Sequence, residues 1–306
     1  GTPDSPNVLD VGKYLSEFLM DSRMIRVPWL LRFLLVNLII VPTRSFSSSK
    51  AYKELWTERG SPLKFHMEDL TQKVKEKLYS THDVYFAMRY KNPSLDEVLS
   101  EIYSKRYEEI ILFPIFPQYS SAANGSFLEK AHKIISKWDV IPRVSTIDQF
   151  YNRDDFIAAF AENISKFKLG EYDKIIFSYH GIPKRQAKKT DETGEHCFST
   201  SNCCEIENDG SKDCYRSHTR IASDLTAKKL GLKDDQWEIA YQSRIGPGWL
   251  TPFTDKRLAK LPEEGKDNIA ILCPSFISDC LETLEEIDIR GRETFLKAGG
   301  KNMTYI

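Results

Sequence analysis

Ile175-Ile176-Phe177-Ser178-Tyr179-His180-Gly181-Ile182-Pro183 reads as a short, buried, β-branched strand that stops at a histidine and turns away through glycine and proline. In open parallel α/β sheets, ligands bind where loops leave the carboxyl ends of strands. A histidine at such an end offers an imidazole that can take a proton or touch a metal near neutral pH. A lone histidine is more often structural than chemical, so the weight of His180 depends on the rest of the chain.

Outward from this strand, strand-like and helix-like segments alternate. Asp83–Met88, Glu109–Phe113, Asp139–Val144, Lys174–Tyr179, Trp237–Gln242 and Asn268–Cys273 read as short apolar strands with turn signals at their ends. Between them lie amphipathic stretches at Leu95–Ser104, Ser126–Lys137, Arg153–Phe167, Tyr215–Lys229 and Cys280–Lys297. This alternation predicts βα units and parallel sheets covered by helices on both faces. The pattern occurs twice, with a break near Arg143–Gln149. Two similar doubly wound, Rossmann-like domains are therefore expected, over 1–145 and 146–287. The C-terminal segment 288–306 is expected to pack back on the first. The anomaly is the polar, cysteine-dense stretch Lys188–Asp213, which reads as an inserted loop reaching to residue 214.

Composition narrows the function classes. The 306 residues are 41% hydrophobic and 28% charged, as in ordinary globular proteins. Lys plus Arg (43) nearly balances Asp plus Glu (44), which leaves no global footprint for nucleic acid. The opening Gly1-Thr2-Pro3-Asp4-Ser5-Pro6 reads as a turn rather than a signal peptide. The longest apolar run, Trp29 to Val41, contains Arg32 and Asn37 and falls short of the roughly 20 residues of a membrane span. It is expected as a buried core helix, with an apolar lip that admits a greasy flat ligand or rests on a bilayer surface as the alternative.

Several constellations gather at strand ends. After the strand Asn268–Cys273, Asp279, Glu282, Glu286 and Glu293 recur at three, four and seven residues, which would align four carboxylates on one helical stripe. Such stripes are usually solvated faces. Here the first two carboxylates follow a strand end, the kind of position His180 occupies, and a cation or proton traffic would offset their mutual repulsion. Gln242-Ser243-Arg244-Ile245-Gly246-Pro247-Gly248-Trp249-Leu250 leaves another strand with the residues of a wall around a flat apolar ligand. Phe116-Pro117-Gln118-Tyr119-Ser120 is a second aromatic, proline-bearing turn, and Arg89-Tyr90 puts a cation where a ligand carboxylate could pair with it.

Six cysteines are present, and Cys197, Cys203, Cys204 and Cys214 fall inside the inserted loop. Four thiolates in one loop could hold a [2Fe–2S] centre or a tetrahedral zinc, with disulfides or free thiols as the remaining options. The spacing has no C-x2-C pair and is not the plant-type ferredoxin spacing. His196 and His218 are near enough in sequence to replace one cysteine. Cys273 and Cys280 read as packing residues, and the uneven distribution points to a reducing compartment.

These pieces together resemble the ferrochelatases, over essentially the whole chain. The resemblance rests on Gly1-Thr2-Pro3-Asp4-Ser5-Pro6, Gly60-Ser61-Pro62-Leu63, Phe116-Pro117-Gln118-Tyr119-Ser120, Ser178-Tyr179-His180-Gly181-Ile182-Pro183, Gln242-Ser243-Arg244 with Trp249-Leu250, and Asp279-Cys280-Leu281-Glu282-Thr283-Leu284-Glu285-Glu286. It implies two Rossmann-like halves with the active-site cleft between them, and insertion of Fe²⁺ into a porphyrin, protoporphyrin IX, to make haem. The family's histidine falls on His180, its helix glutamate on Glu282, and the outer carboxylates of its acidic path on Glu286 and Asp279. Arg89, Tyr90, Tyr119 and Trp249 fall on porphyrin-lining positions. Because one bacterial group of the family carries its cysteines in an internal loop, the resemblance also implies a [2Fe–2S] cluster on Cys197, Cys203, Cys204 and Cys214. The chain departs from the family pattern in three places. It starts just after the family's first strand, it stops before the usual C-terminal tail, and the loop Gly246-Pro247-Gly248-Trp249 is one residue short.

The chemistry agrees with this resemblance. Iron insertion must remove two pyrrole protons, bend the macrocycle and strip water from the metal. A neutral His180 can accept protons, and Glu282 can accept one or hold a distorted ring. An acidic row passes a hard cation without trapping it as thiolates would. The expected setting is cytoplasmic, with peripheral membrane contact. A cobalt chelatase of the same architecture and a non-catalytic porphyrin or iron sensor are the rival readings.

Overall fold

Every ladder between strands is parallel, as the alternation of strand and helix requires. The computed structural model describes residues 1–206 and 208–306. Two units are distinguished, one from 1–114, 121–147 and 278–281, the other from 115–120, 148–277 and 282–306.

In the first unit, β1 (Glu109–Leu112) pairs with β2 (Arg143–Thr146). Leu95, Leu99 and Ile102 recur at helical spacing on Leu95–Lys105 and bury one face with Ile110 and Leu112, joined by Ala131 and Ile135 of Asn124–Ile135. Ser94 and Glu97 cap that helix reciprocally, which fixes where it starts. The strand expected over Asp139–Val144 begins only at Arg143, because Pro142 has no N–H to give a ladder. Asp83–Met88 runs without ladder partners except at Met88, which bridges to Ser94.

The apolar run is not the buried core helix expected of it. It lies within a continuous helix, Trp29–Leu55, which by length and composition alone could cross a membrane. Only 17% of its most apolar window is buried, and Trp29, Leu30, Leu31, Leu38 and Ile39 are exposed. The opposite face is held by polar contacts. Arg32 is buried and donates to the carbonyls of Ile25 and Val27, Ser16 donates to Asn37 at 2.6 Å, and Ser49 donates to the Pro6 carbonyl at 2.6 Å. Gly12 of Val8–Leu19 brings that helix against the longer one, since a Cβ there would meet Ser45 Oγ at 3.1 Å.

The second unit contains β3 (Lys174–His180), β4 (Trp237–Gln242), β5 (Asn268–Leu272) and β6 (Asn302–Tyr305), in the order β4-β3-β5-β6. Alternation along β3 decides its two faces. Ile175, Phe177 and Tyr179 enter one core with Tyr215 and Leu250, whereas Ile176 enters the other with Leu258, Ile271 and Phe295. The opening strand is therefore sealed on both faces, as its unbroken apolar run implies.

β6 overturns one expectation. Residues 302–305 add a parallel strand to β5, so the C-terminal segment belongs to the second unit and completes its sheet. The sheet edge beside β5 has unpaired backbone groups to satisfy, and Met303 fills the core behind them. The two sheets consequently differ in size, two strands against four.

Candidate active site

His180 is the last residue of β3, and its backbone is pinned on both sides. Its N–H donates to Ser275 Oγ at 3.1 Å, and its carbonyl accepts from the Tyr215 hydroxyl at 2.8 Å. The ring Nδ1 lies 2.7 Å from the Gly181 carbonyl. A carbonyl only accepts, so the proton sits on Nδ1 and the Nε2 lone pair is the acceptor that the neutral ring presents. Gly181 is required here by close approach, since a Cβ would stand 2.9 Å from the Gln242 carbonyl. The ring lies between Trp249 and Phe276, with centroids 6.5 and 6.3 Å away.

The loop that carries Trp249 is fastened to the loop after His180. Lys184 N–H donates to the Gly248 carbonyl at 2.8 Å and Leu250 N–H to the Ile182 carbonyl at 3.0 Å. The shortened loop therefore still sets Trp249 beside His180. A polar chain ties the ends of β3 and β4 to the helix that starts at Leu281. Ser178 Oγ donates to Gln242 Oε1 at 2.8 Å, and Gln242 Nε2 donates to the Glu282 carbonyl at 2.8 Å.

Glu286 is gripped by Ser243. The Ser243 N–H reaches Oε1 at 2.7 Å and its hydroxyl reaches Oε2 at 2.5 Å. Ser243 adopts φ 62° to do this, a left-handed conformation that costs a non-glycine residue energy. Burial raises the Glu286 carboxyl above its ordinary value; the Glu282 charge adds to the rise, while the Ser243 bonds and the His180 charge oppose it. His180, Glu282 and Glu286 thus share one electrostatic neighbourhood.

The raised carboxyl has a testable sign. Folded Glu286 keeps its proton to higher pH than the unfolded chain does, so stability falls as pH rises from the ordinary carboxyl value through the folded one. Glu286→Gln copies the protonated form. It should raise Tm by roughly 2–4 °C at pH 7, a gain that disappears near pH 4, in about the ordinary carboxyl range. Thermal melts at both pH values check this, and a lower Tm at pH 7 would contradict it.

The four-carboxylate stripe is corrected. Asp279 precedes the helix, which starts at Leu281, and Leu284–Gly291 is wound as a π-helix. Its i→i+5 turns break the 3.6-residue spacing that aligned the four. Glu293 is exposed and paired with Lys297 at 2.6 Å, so it belongs to the solvated surface.

Arg89 and Tyr90 form a separate network in the first unit. Arg89 Nη2 donates to Asp21 Oδ2 at 2.5 Å, and Arg89 Nε donates to Ser126 Oγ at 2.7 Å. The Tyr90 ring is buried beneath the guanidinium, whose Cζ lies 4.5 Å from the ring centroid. Tyr119 sits by the cysteine loop: its N–H donates to His218 Nδ1 at 3.2 Å, and it lines a hollow of about 330 Å³ with Asp148, Lys189, Thr190, Glu192 and Asp213.

The loop brings Cys197, Cys203, Cys204 and Cys214 together as buried free thiols. Cys203 and Cys204 Sγ are 3.9 Å apart, and Arg216 Nη1 stands 3.8 Å from Cys203 Sγ. Cys214 precedes the helix Tyr215–Lys229. The Cys197 and Cys204 thiols, then the Ser217 and Arg216 amides, hold Cys214 well below the ordinary thiol range, while Cys197 and Cys204 are pushed up. Among the described residues, no three His, Cys, Asp or Glu side chains are set to hold a metal ion without rearrangement. Both histidines near the loop have their ring nitrogens engaged. His196 spends its nitrogens on Asn208 and the Cys203 carbonyl, and His218 spends its own on the Tyr119 amide and the Lys212 carbonyl.

Three residues outside the sequence reading organise these sites: Asp21, Ser243 as the grip on Glu286, and Asp191. Asp191 accepts from the Thr193, Gly194, His196 and Cys197 amides and shapes the cysteine loop. Asp191-Glu192-Thr193-Gly194 carried a turn signal for it, whereas Asp21 and Ser243 meet partners distant in sequence.

Comparison with known proteins gives the family. The family model described as Ferrochelatase matches residues 1–306. Curated ferrochelatases are similar along nearly their full lengths. That of Legionella pneumophila (strain Paris) is 41% identical over 302 residues, covering 98% of this chain and 89% of the relative. That of Opitutus terrae is 39% identical over 308 residues, covering 100% and 89%. That of Pseudomonas syringae pv. tomato is 34% identical over 307 residues, covering 100% and 90%. With the family pattern matched from end to end and relatives 34–41% identical over nearly the whole chain, the chain belongs to the ferrochelatase family.

Proposed function

We propose that the chain is a lyase-class metal chelatase that inserts Fe²⁺ into protoporphyrin IX to form haem, with release of two pyrrole protons. The observation that carries this reading is the His180 ring, locked through Nδ1 on the Gly181 carbonyl with Nε2 left as acceptor, beside Trp249 and Phe276. His180 is assigned the first pyrrole proton. Glu282 is assigned the second proton or the support of the bent ring, and Glu286 and Asp279 the passage of the hydrated metal, which oxygen ligands bind without trapping. Trp249 supplies an aromatic wall and Arg89 the partner of a porphyrin carboxylate. Tyr90 acts beneath Arg89 instead of facing the ligand, and Tyr119 has the weakest claim to the porphyrin. Anaerobic mixing of the purified chain with Fe²⁺ and protoporphyrin IX should yield the haem spectrum. Porphyrin binding without haem would favour the sensor, and turnover only with Co²⁺ and a corrin precursor would favour the cobalt chelatase.

A [2Fe–2S] cluster fits the donor set. Cys197, Cys203, Cys204 and Cys214 are buried and unoxidised, Cys203 and Cys204 Sγ are 3.9 Å apart, and Arg216 with the amides after Cys214 favours thiolate. The four thiols would hold it, and its service would be to the stability of the loop. The chain is assigned to the cytoplasm, with the exposed face of Trp29–Leu55 resting on a bilayer. Polar anchoring of the opposite face, through Arg32, Asn37 and Ser49, favours lying on the membrane over spanning it. Vesicles containing anionic lipid should co-sediment the chain and lose at least half of it with Leu31→Glu and Leu38→Glu combined. Equal sedimentation of the two would remove this contact.

A further inference from the structure

Asp21 receives more hydrogen bonds than one neighbouring cation requires. Its side chain is 5% exposed, and Oδ2 accepts from Arg89 Nη2 at 2.5 Å, from the Tyr90 hydroxyl at 2.9 Å and from the Ser126 hydroxyl. Oδ1 accepts from the Arg23 amide at 2.7 Å, and the Asp21 carbonyl accepts from the Met24 and Ile25 amides. Arg89 is clamped from the other side as well, with Nε on the Ser126 carbonyl and hydroxyl and its plane over the Tyr90 ring. Phe18 holds that ring edge-on, 5.2 Å away. Arg89 Nη1 takes no part in this network. One edge and one face of the guanidinium are thereby fixed, and a defined donor edge is left.

We propose that Asp21 is a positioning residue for recognition of the substrate's carboxylate: it presents the Nη1 edge of Arg89 in one orientation. The proposal rests on the reading that Arg89 meets a porphyrin carboxylate. An arginine without such a clamp samples many rotamers and must be ordered when the ligand arrives, a cost that preorganisation removes. The same residue also fixes 21–25, its carboxylate through the Arg23 amide and its carbonyl through those of Met24 and Ile25, and this segment leads through the Arg32-held turn into the apolar helix.

The test is porphyrin fluorescence titration of the purified full chain with a dicarboxylic porphyrin and with its dimethyl ester, in the same detergent. The ratio of the two affinities reports carboxylate recognition, and ester affinity reports whether the binding surface is intact. Asp21→Asn should lower the acid-to-ester ratio on the order of tenfold, with ester affinity unchanged. A preserved ratio would overturn the proposal. So would a raised ratio, which would mean that Asp21 competes with the substrate for Arg89. If Asp21→Asn loses ester binding too, Asp21→Glu, which keeps the charge and shifts it by one methylene, is read in its place. A wild-type ratio there overturns the proposal and a lowered ratio supports it. Arg89→Gln separates the two layers. If it keeps the wild-type ratio, the assignment of Arg89 to a porphyrin carboxylate fails. If it loses the ratio while Asp21→Asn keeps it, only the role of Asp21 falls.

Discussion

His180→Ala is expected to lower the rate of haem formation by roughly a thousandfold or more while porphyrin binding stays within a few-fold of normal. General-base removal costs about 10²–10⁴ in rate, and here the same ring shares its electrostatic surroundings with Glu286. The fold should survive, because the bonds that pin this position are made by its backbone: the N–H to Ser275 and the carbonyl from Tyr215. The imidazole contributes one further bond, Nδ1 to the Gly181 carbonyl, whose loss leaves a solvated acceptor at a partly exposed site. His180→Asn sharpens the result, since its amide can mimic the Nδ1 donor but supplies no base at Nε2. Both variants should be equally inactive in the anaerobic assay. Near-normal turnover by either would remove His180 from proton transfer.

The second large effect is expected at Cys214. It is buried at the start of the helix Tyr215–Lys229, and its surroundings favour its thiolate over those of Cys197 and Cys204. Cys214→Ser should remove the red-brown colour and the equal content of iron and sulfide expected of the purified chain, and should lower its Tm. Cys280→Ser, outside the loop, should keep the colour. A colourless wild-type chain containing zinc would replace the cluster with a tetrahedral zinc site, and an unchanged spectrum in Cys214→Ser would remove that residue from the ligand set.

Much of this site was legible in the chain because the signals are local. A strand buried on both faces needs an unbroken apolar run, and 175–179 is one. A ligand-facing residue at such a strand's end has a distinctive setting, and His180 has it. The cysteines crowd into one loop, so their convergence required little long-range information. The acidic stripe was misread for a reason equally local in origin. A 3.6-residue repeat was assumed across a stretch that winds as a π-helix, which moved Glu293 to the surface and left Asp279 outside the helix.

The sequence by itself determined the α/β class, the parallel sheets, the histidine at a strand end and the thiol-rich loop, because periodicity and turn residues report burial within a few residues of themselves. Tertiary structure decided what depends on partners far along the chain. It joined Asp21 to Arg89 across 68 residues and Ser243 to Glu286 across 43, and it gave the last strand to the second sheet. It also left the apolar face of Trp29–Leu55 uncovered. An apolar stripe states only that a face wants cover. Whether another element supplies that cover, and which charge a buried carboxylate meets, is settled only when distant segments compete for the same space.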